Sequence, residues 1–202
     1  MKFIIFHGSF GGPGENWFPY VKKSLENIGQ EVIVPQFPVE SWDEMTKFGK
    51  TFVPKRQTLQ TWLSAFEPTA KSIKPNEQYC WVGHSIGPLF MLHILTRFHI
   101  QLDSAIFVSP FLTMLKRSWQ IDTVNESFYK SDFDFPVLRK LIPVSYAIYS
   151  QNDPYVSIEY PREFAKKMNS SVIESKNGGH FNGEAGFTSF PLVVELCKTR
   201  IN

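Results

Sequence analysis

The stretch that decides the fold is YCWVGHSIGPLFMLHILTRF, residues 79–98. It begins with a short apolar run of β-branched and aromatic residues, which predicts a buried strand. Its second half has a helical pattern with Pro88 in the first turn, where a missing N–H costs nothing. Between the two lies G-x-S-x-G, from Gly83 to Gly87. A strand that turns straight into a helix strains the corner residue, and flanking glycines let the two elements approach. We therefore predict that Ser85 sits at this corner and projects its hydroxyl above a sheet.

The rest of the chain alternates strand and helix in the same way. Six short, nearly continuous apolar runs predict strands buried on both faces: residues 2–6, 31–35, 79–83, 104–109, 144–150 and 171–175. Amphipathic stretches predict helices at residues 17–28, 57–73, 88–98, 160–168 and 189–198. We therefore predict a three-layer α/β fold, with a mostly parallel sheet of about six strands and helices on both faces. In such folds the chemistry collects at the carboxyl ends of the strands.

Two segments, 39–55 and 110–142, interrupt this alternation. The second is too long for a plain loop and is rich in Phe and Trp. We expect a single domain over residues 1–202, in which 110–142 forms either a small lid or one more packed helix of the outer layer. A segment that is short for a lid and rich in aromatic residues predicts a shallow apolar pocket.

Composition narrows the class of protein. The 202 residues are 43% hydrophobic with a net charge of +2, and Lys and Arg never exceed two in a row. Such a surface indicates neither a nucleic-acid nor a membrane partner. Cys80 and Cys197 form no disulfide framework and no metal spacing, so we expect reduced thiols. The apolar start is too short for a signal peptide, and no run approaches the ~20 residues of a membrane span. We therefore expect a soluble cytoplasmic protein.

A serine hydroxyl is a poor nucleophile, so a reactive Ser85 requires a base and an orienting acid. The base is predicted to be His180, which follows the last strand in SKNGGHFN; His84 lies inside the motif and is expected to point away from Ser85. The other histidines are less suited because they end a strand or lie in or beyond the following helix: His7, His93 and His99. Asp153, in YSQNDPYV just past the fifth strand, is the predicted acid, although Asp-Pro is also an ordinary turn signal. The next candidate for the acid is Glu184. The chain order Ser, Asp, His is that of α/β-hydrolases.

A glycine-rich loop, FHGSFGGPGENW, follows the first predicted strand. Its glycines let the backbone approach a ligand, and the N–H of Ser9, or failing that of Phe10, is the candidate partner of the Ile86 N–H in an oxyanion hole. A phosphate-binding loop is the alternative. The spacing does not give G-x-G-x-x-G, and no Lys-Ser or Lys-Thr follows. We therefore predict no cofactor and no metal.

Four stretches resemble the small serine hydrolases of the α/β-hydrolase superfamily related to retinoblastoma-binding protein nine: HGSFGGPGENWFPYVKKSL, WVGHSIG, QNDPYVSIEYPREFAKKM and GGHFNGEAGFTSFPLV. The resemblance covers nearly the whole chain, and only residues 39–57 match nothing in it. It implies the three-layer α/β-hydrolase fold with little lid. It also implies a catalytic triad of Ser85, Asp153 and His180, esterase-like or amidase-like activity, and room for a protein partner.

These observations together predict a hydrolase of carboxylic esters, or of amides, acting on a small-molecule substrate. Two alternatives stay open. One is an interaction protein that keeps the fold but functions by binding a partner through its surface and not by hydrolysis. The other is an acyltransferase, which uses the same triad with an acceptor other than water.

Overall fold

A six-stranded sheet forms the centre of the computed structural model, which describes residues 1–201. The strands are β1 (Lys2–Phe6), β2 (Glu31–Ile33), β3 (Tyr79–His84), β4 (Ser104–Val108), β5 (Val144–Ser150) and β6 (Ser171–Ser175). They lie in the order β2-β1-β3-β4-β5-β6, and each neighbouring pair is parallel. The predicted parallel sheet of six strands is confirmed. Its carboxyl edge therefore carries the loops after β1, β3, β5 and β6.

Within residues 1–201, eight α-helices connect and cover these strands. They are α1 (Phe18–Glu26), α2 (Trp42–Phe48), α3 (Leu59–Ser72), α4 (Ile86–Phe98), α5 (Trp119–Asn125), α6 (Phe135–Leu141), α7 (Glu159–Met168) and α8 (Pro191–Lys198). The five predicted helices are present, with ends that differ by one or two residues. No sequence pattern located α2, α5 or α6, although a packed helix is one of the two alternatives given for segment 110–142, which contains α5 and α6. Each of them begins with an N-cap residue. The side chains of Ser41, Ser118 and Asp134 each accept a hydrogen bond from a backbone N–H in the first turn.

Alternate side chains of the strands point to opposite faces of the sheet, and a large hydrophobic cluster forms on each face. On β1, Phe3 and Ile5 pack with residues of α1 and α8, whereas Ile4 and Phe6 pack with residues of α3, α4 and α7. The same division continues on β3, where Val82 shares the first cluster and Trp81 the second. The sheet is therefore a middle layer between two layers of helices.

The edge strand β6 corrects one prediction. Burial on both faces holds for the central strands, but it is wrong for β6, where Val172 is 50% exposed. An edge strand has a neighbour on one side only, so its side chains can reach water. A charged group also occupies this strand, since Glu174 on β6 pairs with Arg162 of α7.

The segment 110–142 folds into α5, α6 and the loops around them. Its large apolar side chains join the cluster that contains α4, and these include Phe111, Phe128, Phe133 and Leu138. Its first part also reaches the carboxyl edge of the sheet, where Leu115 and Ile121 line a cavity. Within residues 1–201, no helix is long and apolar enough to cross a membrane.

Candidate active site

The corner between β3 and α4 has the strained backbone that the glycine pattern indicates. Ser85 adopts φ 61° and ψ −111°, a conformation that costs a residue with a side chain. A Cβ on Gly83 would lie 2.7 Å from the Pro88 nitrogen, and one on Gly87 would lie 2.7 Å from the Phe6 carbonyl oxygen. Only glycine therefore fits at both flanking positions, and Ser85 stands at the carboxyl edge of the sheet.

His180 and Asp153 form a direct pair beside this corner. His180 Nδ1 lies 2.7 Å from Asp153 Oδ2, while Asp153 Oδ1 accepts the N–H groups of Tyr155 and Val156, each at 2.9 Å. A carboxylate only accepts, so the bonded tautomer carries its proton on Nδ1 and leaves Nε2 free to accept one. Burial alone would raise the pKa of Asp153, but the hydrogen bond and the attraction from His180 lower it below its usual value. Asp153 is therefore ionised at neutral pH.

The loop that carries His180 is fixed from both sides by hydrogen bonds to its backbone. The contacts are Gly178 N–H to Ser150 Oγ, Gly179 N–H to Asn152 Oδ1, His84 Nε2 to the His180 carbonyl, Trp17 Nε1 to the Phe181 carbonyl, and Gly183 N–H to Asn16 Oδ1, all between 2.7 and 2.9 Å. The two glycines of the sequence therefore make a turn whose position is set by its neighbours, not a free loop.

His84 turns towards this loop. Its Nε2 must donate, because the His180 carbonyl can only accept, and so its Nδ1 carries a lone pair. Burial, with repulsion from His180 whose ring centre is 4.8 Å away, lowers the pKa of His84 to about 3. His84 is therefore neutral at neutral pH and brings no positive charge to the site.

Ser85 and His180 open into one cavity of about 700 Å³. Aromatic and aliphatic side chains form part of its walls, and they come from the loop after β1, from α2, from segment 110–142 and from the loop after β5: Phe10, Trp42, Leu115, Ile121 and Tyr155. Two carboxylates, Glu15 and Glu184, stand among the polar lining residues. The Tyr155 O–H donates to Glu184 Oε2 at 2.7 Å, a bond that together with burial raises the pKa of Tyr155 to about 12.

The two predicted oxyanion donors belong to segments that border this cavity. Ile86 is the first residue of α4, where a backbone N–H has no intrahelical acceptor. The loop after β1 runs close by, since a Cβ on Gly8 would lie 3.1 Å from Ser85 Cβ. The Phe10 N–H already donates to Gln57 Oε1 at 3.0 Å, which leaves Ser9 as the better placed of the two alternatives.

Over residues 1–201, no three His, Cys, Asp or Glu side chains are grouped so that they could hold a metal ion. Cys80 and Cys197 are buried free thiols.

The sheet order and this site define an α/β-hydrolase, and known proteins agree. The crystal structure of the ydeN gene product of Bacillus subtilis is similar, with a TM-score of 0.81 and 23% identity over 98% of this chain and 97% of that one. The structure of Est1E from Butyrivibrio proteoclasticus with bound ferulic acid gives a TM-score of 0.66 and 19% identity, covering 98% and 86% of the two chains.

Sequence comparison gives the same class. YdeN of Bacillus subtilis (strain 168) is 25% identical over 197 residues, which are 96% of this chain and 93% of YdeN. The model of the serine hydrolase family matches residues 3–199. The chain therefore belongs to the serine hydrolase family, and the predicted membership of the α/β-hydrolase superfamily is confirmed.

Several residues around the site had no signal in the sequence. Gln57 and Asn125 are fully buried beside the loop after β1, yet Gln57 follows a segment without a motif and Asn125 closes a short helix whose position no sequence pattern indicates. Trp17 and Asn16 fix the His180 loop from more than 160 residues away. Contacts between such distant segments leave no periodic pattern, so they emerge only from the fold.

Proposed function

We propose that this hydrolase cleaves carboxylic esters, and amides by the same chemistry, through a covalent acyl-enzyme on Ser85. The observation that carries the proposal is the opening of one cavity onto both the Ser85 corner and His180, whose Nδ1 is bonded to Asp153. Nucleophile, base and acid would then stand at the carboxyl ends of β3, β6 and β5.

In the first half of the reaction, Ser85 Oγ attacks the substrate carbonyl carbon while His180 Nε2 takes the hydroxyl proton. The carbonyl oxygen gains a negative charge, which the N–H groups of Ile86 and Ser9 stabilise. The bond to the leaving group then breaks, and His180 returns the proton to that group. Ser85 is left as an acyl ester.

In the second half, water attacks the acyl carbon and gives its proton to His180 Nε2. The bond to Ser85 Oγ breaks, the acid leaves and the proton returns to the serine. Asp153 holds the imidazole in the tautomer with Nδ1–H and stabilises the imidazolium in both halves. Every group that these steps assign to the protein is supplied by the chain itself.

The residues that line the cavity favour a substrate with a small acyl group. Phe10 and Trp42 pack edge to face with ring centres 5.2 Å apart on one side, and Leu115 with Ile121 forms another side. Apolar walls of this kind bind an uncharged acyl chain by removing its surface from water. We propose that short chains are preferred, because the aromatic pair and segment 110–142 each form a wall beside Ser85.

We also propose the cytoplasm as the working compartment. The proposal is supported by the balanced surface charge and by the two free thiols, Cys80 and Cys197, which suit a reducing environment.

The test is a panel of p-nitrophenyl esters of graded chain length, run beside aminoacyl amides. The wild-type protein should turn over at least the short esters, and Ser85→Ala should lose several orders of magnitude in kcat/KM. Ser64→Ala, the same change at an exposed position on α3, is the matched control and should match wild type. A folded wild-type protein that turns over no ester or amide would favour the interaction protein, and acyl transfer would appear as product formation only when an acceptor alcohol or amine is added.

A further inference from the structure

Two buried amide side chains link three distant segments beneath the loop after β1. Gln57 Oε1 accepts the Phe10 N–H at 3.0 Å, and Gln57 Nε2 donates to Asn125 Oδ1 at 3.0 Å. The same Asn125 oxygen accepts the Ser9 hydroxyl at 2.8 Å. Both Gln57 and Asn125 are fully buried. The loop is thereby tied to the segment before α3 and to the end of α5.

The orientation of both amides is dictated by one backbone group. The Phe10 N–H can only donate, so Gln57 must present its oxygen to it and its nitrogen to Asn125. Asn125 must then present its oxygen to Gln57 Nε2 and to the Ser9 hydroxyl. Its Nδ2 turns away and, within the described residues, is buried without a partner. Neither amide can flip without setting two donors or two acceptors against each other, so the network has a single arrangement.

The loop held in this way is strained. Phe10 has φ 58°, in the left-handed region that a residue with a Cβ adopts only at a cost. The bond from Phe10 N–H to Gln57 fixes the peptide plane on one side of this residue, and the bond from Ser9 Oγ to Asn125 fixes the residue before it. The direction of the Ser9 N–H depends on both.

The network is itself anchored. The buried carboxylate of Glu40 accepts the N–H groups of Lys55, Arg56 and Gln57, which sets the backbone from which the Gln57 side chain extends. On the other side of the loop, His7 Nδ1 donates to the Gly8 carbonyl at 2.8 Å while His7 Nε2 accepts the Phe37 N–H at 3.0 Å. The loop is therefore held from both ends against fixed elements.

We propose that Gln57 and Asn125 are positioning residues that hold the Ser9 N–H in the direction needed to bind the oxyanion. The inference rests on the proposed function, since it assigns the support of one of its two oxyanion donors. It also assigns a role to segment 39–57, which ends at Gln57, and to α5. Because an oxyanion forms only during the reaction, misplacing its donor should lower kcat and leave KM nearly unchanged.

The experiment measures kcat and KM with p-nitrophenyl acetate for the wild-type protein, Gln57→Met and Ser9→Ala. Gln57→Met keeps the length of the side chain and removes both hydrogen bonds, and we expect kcat to fall about 10- to 100-fold with KM within about threefold. Ser9→Ala keeps the N–H and removes only the link to Asn125, so a fall of about 3- to 10-fold is expected. Gln60→Met, the same substitution at an exposed position on α3, is the matched control and should match wild type.

Ser9→Ala provides a second test in case Gln57→Met does not fold. We expect Ser9→Ala to fold, because Ser9 is only partly buried and the change is small. If Gln57→Met does not fold, a selective fall of kcat in Ser9→Ala supports the inference, and an unchanged kcat overturns it. Folded Gln57→Met and Ser9→Ala proteins whose kcat stays within twofold of an active wild type would overturn this inference alone. A wild-type protein without activity and without labelling of Ser85 would overturn the proposed function and this inference with it.

Discussion

Replacing Asp153 by Asn tests the proposed role of Asp153 as the orienting acid with almost no change of shape. The new side chain would still face two backbone N–H donors, from Tyr155 and Val156, at the place of Oδ1. Only its amide oxygen can accept them, so its NH₂ group must take the place of Oδ2 and face His180 Nδ1. Because NH₂ only donates, Nδ1 must give up its proton and Nε2 must carry it. The variant Asp153→Asn therefore stabilises the tautomer that cannot take the proton of Ser85.

The expected loss is large. Triads in which the acid is changed in this way lose on the order of 10⁴ in rate, which corresponds to about 5.4 kcal/mol of transition-state stabilisation. We expect kcat/KM of Asp153→Asn for a short p-nitrophenyl ester to fall by that order, while circular dichroism shows an intact fold. Asp132→Asn is the matched control, because the Asp132 side chain is 87% exposed, and it should stay within about twofold of wild type.

Near-normal turnover in a folded Asp153→Asn protein would refute this reasoning. The acid would then have to lie elsewhere, and Glu184, which lines the same cavity and accepts the Tyr155 hydroxyl, would be the next position to change.

Three further predictions follow from the buried groups and the cavity. The pKa of His84 is about 3 in the folded protein and 6.5 in the unfolded chain, because the fold favours the neutral imidazole. His84 therefore contributes to the free energy of unfolding above pH 6.5, and this contribution is lost as the pH falls. Between pH 7 and pH 5, the free energy of unfolding of wild type, measured with guanidinium, should fall by about 2 kcal/mol more than that of His84→Gln. An equal fall in the two proteins would contradict this prediction. Gly87→Ala should lower the free energy of unfolding by about 1–3 kcal/mol because its Cβ would meet the Phe6 carbonyl, whereas Gly14→Ala, with nothing within 4 Å, should be nearly neutral in the same guanidinium unfolding assay. Esters of two to four carbons should be turned over faster than those of twelve or more, and the reverse order in a chain-length series would show that the pocket is not a short-chain site.

Much of the fold follows from local sequence patterns. Apolar runs and periodicity indicate parallel strands and their helices, and loops at the carboxyl ends of such strands must share one edge of the sheet. For this reason Ser85, Asp153 and His180, each placed after a predicted strand, come to lie at the same edge. The run SVIES looked buried by composition, but composition does not reveal that a strand will be last in the sheet.

The rest of the site depends on contacts between distant segments. Gln57 and Asn125 are 68 residues apart, and neither lies in a motif, yet together they bind the Ser9 hydroxyl and the Phe10 N–H. His84 illustrates the same limit in another form. Its position inside G-x-S-x-G is plain in the sequence, whereas its bond to the His180 carbonyl, 96 residues away, follows only from the packing of two loops.

The most direct test of the central claim is labelling with a fluorophosphonate. A serine activated by a base and an oxyanion hole attacks the phosphorus of the probe, whereas the other 17 serines of the chain should not. We predict stoichiometric labelling that maps by mass spectrometry to the peptide containing Ser85 and disappears in both Ser85→Ala and His180→Ala, with the Ser85→Ala protein still folded. No labelling of the folded wild-type protein, under conditions that label a known serine hydrolase, would contradict the account.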